Sequence, residues 1–200
     1  LGTGLVIFIL GHFLGKNKPK KDTIYAREGF LIVALSWLVL SFFGAFPFYL
    51  TKEIPHFIDA FFEIVSGFTT TGSSILTDIE SLSHPALFWR SFSHWIGGMG
   101  ILVFVVAFLR DAPGTTMNIL KAEIPGPIVG KLVSKTTDTT RLLYIIYTFM
   151  TILQVILLML GGMSLFDSLL NSFGTAGTGG FAIKNASIAY YNNAYYDGVI

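Results

Sequence analysis

The sequence predicts an all-α membrane protein built from helix–pore-loop–helix repeats with re-entrant half-helices. Three observations predict this class: long apolar stretches without a charge, short apolar segments followed by glycine- and hydroxyl-rich loops, and a repetition of that order in the second half of the chain. Of all residues, 52% are hydrophobic and 12% are charged, a composition typical of chains that contact lipid. Cysteine is absent from the sequence, which excludes disulfides, thiolate metal sites and cysteine nucleophiles.

Three stretches without a charge, 29–51, 91–109 and 142–166, are long enough for transmembrane helices. A helix needs about 20 apolar residues to cross the hydrocarbon core of a bilayer. Residues 1–15 are also uncharged but shorter, and the chain opens on leucine, so we expect there the end of a longer helix.

The charged residues predict the orientation of these helices. Segments 16–28 and 110–141 each contain five lysines and arginines, against two and three acids, whereas 51–84 contains one lysine and five acids. Because short basic loops stay in the cytoplasm, the first two segments are predicted inside and the third outside. Phe30–Leu50 then runs outward and Pro85–Leu109 inward.

In the same scheme Leu142–Phe166 runs outward again.

Between the first two spans, Phe57–Ser66 is apolar but would be only about 15 Å long, half a bilayer. It is predicted to enter the membrane from outside and stop. Irregular backbone at that depth must be buried in protein or line a watery cavity. The segment TTTGSS that follows is therefore expected to face a pore or a site.

The order of elements repeats without a gap, which indicates a duplicated unit. One constant shift aligns three pairs of identical residues: Asp59 with Asp167, Thr70 with Thr178, and Gly72 with Gly180. We call it the repeat shift. Four segments follow from this: 1–28, a partial transmembrane helix and basic loop; 29–110, the first repeat; 111–140, a cytoplasmic linker; and 141–200, a second repeat truncated before its last helix.

The two loops have the composition of a carbonyl-lined cation site. Glycine permits a positive φ, and successive carbonyl oxygens can replace the hydration shell of a cation. The carboxyl end of each half-helix adds roughly half a negative charge. Neutral oxygen ligands favour a monovalent ion. The candidate ligands are backbone carbonyls of six residues: Thr70, Thr71, Gly72, Thr178, Gly179 and Gly180.

An alternative remains open, a non-conducting membrane scaffold in which glycines only allow close helix packing. A phosphate-binding loop is disfavoured because no Lys-Ser/Thr follows either glycine cluster. An enzyme is disfavoured because no nucleophile–base or metal constellation is visible.

Isolated polar residues have structural interpretations. Asp59 and Glu63 share a helix face, but a carboxylate in the first turn is stabilised by the helix dipole, so a structural role is favoured over acid/base chemistry. Arg90 is expected to reach the outer interface or to pair with a half-helix acid. The four histidines lack metal-ligand spacing and are expected at interfaces or in loops. The glycines of WIGGMG are expected to allow tight helix contact.

Four motifs resemble the pore subunit of Trk-type bacterial potassium uptake systems, in the Trk/Ktr/HKT superfamily. They occur in the order DAFFEIVSGFTTTGSS, FWRSFSHWIGGMGILV, KAEIPGP and FDSLLNSFGTAGTGGF. The resemblance implies a potassium-channel-like fold of four repeats around one potassium pathway in the bacterial inner membrane. It assigns Thr70, Thr71 and Gly72 to a first filter segment and Thr178, Gly179 and Gly180 to a second.

The resemblance also implies partners. These are membrane lipid, a cytosolic nucleotide-binding regulatory subunit and a second copy of the full-length protein in a homodimer. K⁺ is then the transported ion, with no organic cofactor and no nucleic acid. Since only one and a half repeats are present, we expect the chain to be part of a longer protein. The linker 111–140 is the predicted docking surface for the regulatory subunit.

Overall fold

The structure is a computed structural model that describes residues 26–100 and 136–200. Within these ranges every regular element is helical, which confirms the predicted all-α class. The elements in chain order are α1 Ala26–Leu50, α2 Phe57–Phe68, α3 His84–Met99, α4 Thr136–Leu160, α5 Leu165–Ala176, a 3₁₀ turn Ser187–Tyr191 and α6 Ala194–Val199.

Among residues 26–100 and 136–200, two helices are long and apolar enough to cross a membrane. They are Phe30–Leu50 within α1 and Arg141–Leu160 within α4, with mean hydropathies of 2.1 and 2.2. Most of their surface is not covered by other described elements; Leu38, Phe149 and Leu160, for example, are exposed. Such apolar faces are expected of helices that contact hydrocarbon.

The boundaries of the long helices differ from those predicted. Helix α1 begins at Ala26, inside the segment predicted as a basic loop, and α4 begins at Thr136, inside the predicted linker. The stretch without charges marks only the part of a helix that suits hydrocarbon, and helices extend beyond it. The predicted end at Phe166 is wrong: α4 stops at Leu160, followed by Gly162 with a φ of 96°.

Helix α3 also departs from the predicted span. It begins at His84, one residue before the prediction, but stops at Met99 instead of continuing to Leu109. Gly100 takes a φ of 70°, a conformation that ends an α-helix, and its N–H donates to the carbonyl of Gly97. The expected continuation over 101–109, the expected helix at 1–15 and the predicted linker up to residue 135 lie outside the described residues.

The half-helices lie where the sequence predicts them, although the first ends at Phe68, two residues after the predicted end at Ser66. Phe57–Phe68 and Leu165–Ala176 have the same length, and the repeat shift aligns both their first and their last residues. Helix α2 packs against α1 and α3, and α5 packs against α4 and α3. Among the described elements, α3 therefore packs against both half-helices.

Two tryptophans of α3 form hydrogen bonds with the long helices. The indole N–H of Trp89 donates to the carbonyl of Gly44 in α1 at 2.9 Å. The indole of Trp95 donates to the hydroxyl of Thr151 in α4 at 3.1 Å, and the Tyr147 hydroxyl donates to the carbonyl of Trp95 at 3.0 Å. These bonds fix the position of α3 against both α1 and α4.

Candidate functional site

Each half-helix ends in a tight turn that leads directly into its loop. After α2, the N–H of Thr70 donates to the carbonyl of Gly67 at 3.1 Å, and that of Thr71 donates to Ser66 at 3.0 Å. After α5, the N–H of Thr178 donates to the carbonyl of Thr175 at 2.9 Å. These bonds pair some of the carbonyls that a helix end leaves unsatisfied.

The backbone of the two loops is the same at equivalent positions. Thr70 has a φ of 53° and Thr178 of 57°, while Gly72 has 76° and Gly180 has 75°. The predicted positive φ of these two glycines is confirmed. A threonine with positive φ is strained, because its branched side chain disfavours the left-handed region by roughly 1–2 kcal/mol. The fold imposes that strain in both repeats, so the conformation belongs to the duplicated unit.

The two loops meet at one point. A Cβ atom added to Gly72 would overlap the carbonyl oxygen of Gly179 and lie 2.9 Å from its carbonyl carbon. Gly72 and Gly179 are half-buried, whereas Thr71, Thr178 and Gly180 are exposed. The loops of both repeats therefore share one region of space, and a side chain at Gly72 would separate them.

The carbonyl oxygens of the loops are not used by the rest of the described structure. No residue in 26–100 or 136–200 donates a hydrogen bond to the carbonyl of Thr70, Thr71 or Gly72, nor to those of the equivalent residues 178–180. Within the same ranges no cluster of three histidines and acids could hold a metal ion.

Two adjacent glycines let α3 approach both half-helix ends. A Cβ on Gly97 would overlap the carbonyl oxygen of Phe68 and lie 3.1 Å from that of Gly67. A Cβ on Gly98 would lie 2.8 Å from the Cα of Gly177, the residue that directly follows the other half-helix. The predicted tight contact through WIGGMG is confirmed, and it occurs where each loop begins.

Arg90 pairs with a half-helix acid, one of the two roles expected for it. Its Nε donates to Oε1 of Glu63 at 2.6 Å, and both side chains are almost completely buried. The same carboxylate accepts hydrogen bonds from the Ser74 hydroxyl and the Ile75 N–H, both at 2.9 Å. The carboxylate of Glu63 is therefore fully engaged in an ion pair and hydrogen bonds, which is a structural role. Asp59 lies in the first turn of α2, as predicted.

His94 lies behind the second loop, and the expectation of an interface or loop histidine is wrong for it. The side chain is fully buried, and a Cβ on Gly179 would overlap its Nε2 atom. Its ring centroid is 4.1 Å from that of Phe181, which follows the loop. A signal for this position exists in the sequence: Arg90, His94 and Gly97 are spaced four and three residues apart and therefore share one face of α3.

Comparison with known proteins gives a consistent group of relatives. The sequence profile of the TrkH family, described as "Cation transport protein", matches residues 2–199. The Trk system potassium uptake protein TrkH of Escherichia coli K12 is 40% identical over 187 residues, 92% of this chain and 38% of that protein. The protein of the same name from Halomonas elongata is 38% identical over 196 residues, 97% of this chain and 39% of that protein. An uncharacterized cation transporter of Methanocaldococcus jannaschii is 36% identical over 187 residues, 94% of this chain and 39% of that protein.

A solved structure has the same fold. The crystal structure of the potassium transporter TrkH from Vibrio parahaemolyticus matches with a TM-score of 0.77 and 32% sequence identity, over 98% of this chain and 39% of that one. The resemblance inferred from the four motifs is thereby confirmed. The chain spans about two-fifths of the length of the relatives that it matches.

Proposed function

The chain belongs to the TrkH family of cation transport proteins, and we propose on that premise that it forms part of a potassium uptake pathway in a bacterial inner membrane. Dehydrated K⁺ passes the two loops, held by the backbone carbonyls of six residues: Thr70, Thr71, Gly72, Thr178, Gly179 and Gly180. The pathway involves no covalent chemistry and no organic cofactor.

One observation carries the proposal: two equivalent loops with unpaired carbonyls come into contact at Gly72 and Gly179. A monovalent cation that loses its water needs several neutral oxygens from more than one direction. Each loop also follows the carboxyl end of a half-helix, whose partial negative charge favours a cation. Two loops from two repeats supply oxygens from two sides.

The partners and the division of the chain are part of the proposal. The segments 29–110 and 141–200 form two repeats of the pathway, after the partial helix and basic loop in 1–28. The linker 111–140 binds a cytosolic nucleotide-binding regulatory subunit, and two copies of the full-length protein form a dimer in the lipid bilayer. Cross-linking from residues in 111–140 tests the linker: contacts with the regulator found only on other segments would contradict it.

A second candidate function is a membrane scaffold that does not conduct. It is favoured by the contacts of Gly97 and Gly98, where small residues allow close packing as in many membrane proteins. In that case Thr70 and Gly72 should tolerate small substitutions, and rubidium flux should not respond to them.

The test of transport is Gly72→Asp in the full-length protein. The substitution places a side chain against the carbonyl of Gly179, so growth that depends on potassium uptake should be abolished at unchanged protein levels. The control is Gly162→Ala, also at a positive φ but with its added Cβ 3.9 Å from the nearest atom. Normal uptake by Gly72→Asp would contradict the proposal.

A further inference from the structure

One charged pair distinguishes the first repeat from the second. The repeat shift places Glu63 on Asn171 and Arg90 on Gly198, so both charges are absent from the second repeat. Asn171 instead donates to the carbonyl of Asp167 at 2.9 Å. Helix α5 nevertheless has the same length as α2. A half-helix of this kind therefore forms without the pair.

Arg90 reaches across to the second repeat. Besides its bond to Glu63, its Nη1 donates to the carbonyl of Ala182 at 2.8 Å, and its guanidinium carbon lies 3.6 Å from the centre of the Phe181 ring. Phe181 and Ala182 come directly after Gly180. The guanidinium thus holds the chain where it leaves the second loop.

Glu63 holds the equivalent point of the first repeat. Ser74 and Ile75, which both donate to its carboxylate, lie two and three residues after Gly72. Ser74 is the residue that the repeat shift places on Ala182. The buried pair therefore joins the exits of both loops through one continuous set of hydrogen bonds.

A buried pair of this kind is a weak source of stability. Removing two charges from water costs energy that their attraction repays only in part, and apolar replacements are often neutral or stabilising. What such a network supplies is geometry, because each hydrogen bond has a narrow range of distance and direction. Because the pair is bonded to residues that follow both loops, that geometry fixes the position of one loop relative to the other.

We propose that Arg90 and Glu63 are positioning residues that set the spacing of the two loops and thereby determine which monovalent cation the pathway accepts. This inference rests on the proposed function, since it concerns the discrimination made by the same carbonyls. Neither side chain touches the ion. Both act by holding the residues that follow Gly72 and Gly180.

The test uses Glu63→Gln and the double variant Glu63→Gln with Arg90→Gln in the full-length protein. In Glu63→Gln the KM for K⁺ should rise, and the preference for K⁺ over Na⁺ should fall, by about tenfold, the effect of losing one charge-assisted hydrogen bond. Uptake is measured at matched amounts of protein in the membrane. An unchanged KM and an unchanged preference would overturn the proposal.

The double variant covers the case in which the single change leaves a buried arginine unpaired and the protein fails to fold. With both charges removed, membrane levels should recover while the preference for K⁺ stays low. A double variant with the parental preference would overturn the proposal, and so would one that is still absent from the membrane, since the pair would then serve folding alone.

A matched control exists in the chain. Lys184 and Glu80 also join the two repeats, with 3.3 Å between Nζ and Oε2, but both side chains are partly exposed. Glu80→Gln should leave the KM and the cation preference unchanged. If it has the same effect as Glu63→Gln, any charge link between the repeats suffices and the assignment to the buried pair is wrong.

A distance measurement separates this inference from the proposed function. Spin labels at Ile75→Cys and Ala186→Cys, both exposed positions beyond the loops, report loop spacing without any transport. The distribution of distances should broaden in Glu63→Gln and not in Glu80→Gln. Unbroadened distances would contradict the positioning role, whereas absence of potassium uptake by the parent protein would contradict only the proposed function.

Discussion

Replacing Gly97 by alanine should damage transport more than it lowers stability. The added Cβ would lie 2.8 Å from the carbonyl carbon of Phe68 and overlap its oxygen. Carbon atoms at ordinary contact are about 3.5–4.0 Å apart, so α3 and the end of α2 must separate by roughly 1 Å. The obstacle is backbone, which cannot rotate away as a side chain would.

The gain in helix propensity and the cost of overpacking largely offset each other in Gly97→Ala, but α3 is still displaced from the end of α2. Alanine is favoured over glycine inside a helix by about 1 kcal/mol, and overpacking costs about 1–3 kcal/mol. The net loss of stability is therefore about 0–2 kcal/mol. A shift of roughly 1 Å occurs where the first loop begins, and misplacement of that size can reduce the rate of a positioned process about a hundredfold.

The assay is rubidium uptake by the full-length protein at matched membrane levels, with Gly44→Ala as the control. Gly44 is also inside a helix, but its added Cβ would be 3.0 Å from side-chain atoms of Ile64 and Phe68, which can move slightly. We expect uptake to fall by about tenfold to a hundredfold in Gly97→Ala. Uptake should stay near normal in Gly44→Ala. Equal uptake in the two variants would refute this account of α3.

Three further changes test other parts of the structure. Ser164→Ala removes an N-cap that accepts a hydrogen bond at 3.1 Å, and should lower the free energy of unfolding by about 0.5–2 kcal/mol; an unchanged thermal midpoint would be evidence against the cap. Gly179→Ala should impair uptake through contact with His94, and His94→Ala should partly restore it; a double variant no better than the single one contradicts that contact. Partial burial alone would lower the pKa of Lys184, but its hydrogen bond to Glu80 and the nearby charge raise it. The stabilisation from this pair should therefore be present while the lysine is protonated and be lost as the pH rises through the raised pKa of Lys184. It should also be small and weaken with salt, because the pair is partly exposed; a pronounced loss of stability in Glu80→Gln at neutral pH would contradict this.

The half-helices could be predicted because several local signals agree there. Phe57–Phe68 is apolar, too short to span a membrane and followed by residues that leave helical geometry, and all of this recurs at Leu165–Ala176. The ends of the long helices could not be predicted in the same way. A count of charges does not detect a turn made by Gly161 and Gly162, or the break at Gly100.

The surroundings of the candidate site depend on tertiary packing. The sequence predicts that Arg90 can pair with a half-helix acid. It does not reveal the second hydrogen bond of Arg90, to the carbonyl of Ala182, because that bond joins residues 92 positions apart. His94 contacts the second loop at Gly179 and Phe181, and no local pattern in the sequence contains that contact. Sequence periodicity relates Thr70 to Thr178 but does not show that Gly72 and Gly179 touch.

The convergence of the two half-helices has an electrostatic consequence. Each carboxyl end has a partial charge of about −0.5, so two of them together act like about one full negative elementary charge. No acidic side chain occurs in either loop, and the nearby carboxylate of Glu63 is matched by a guanidinium. Peptide dipoles do not titrate. On the proposed function, the contribution of these backbone dipoles to the attraction of a cation should be the same in acidic and in alkaline surroundings for as long as the helices stay folded.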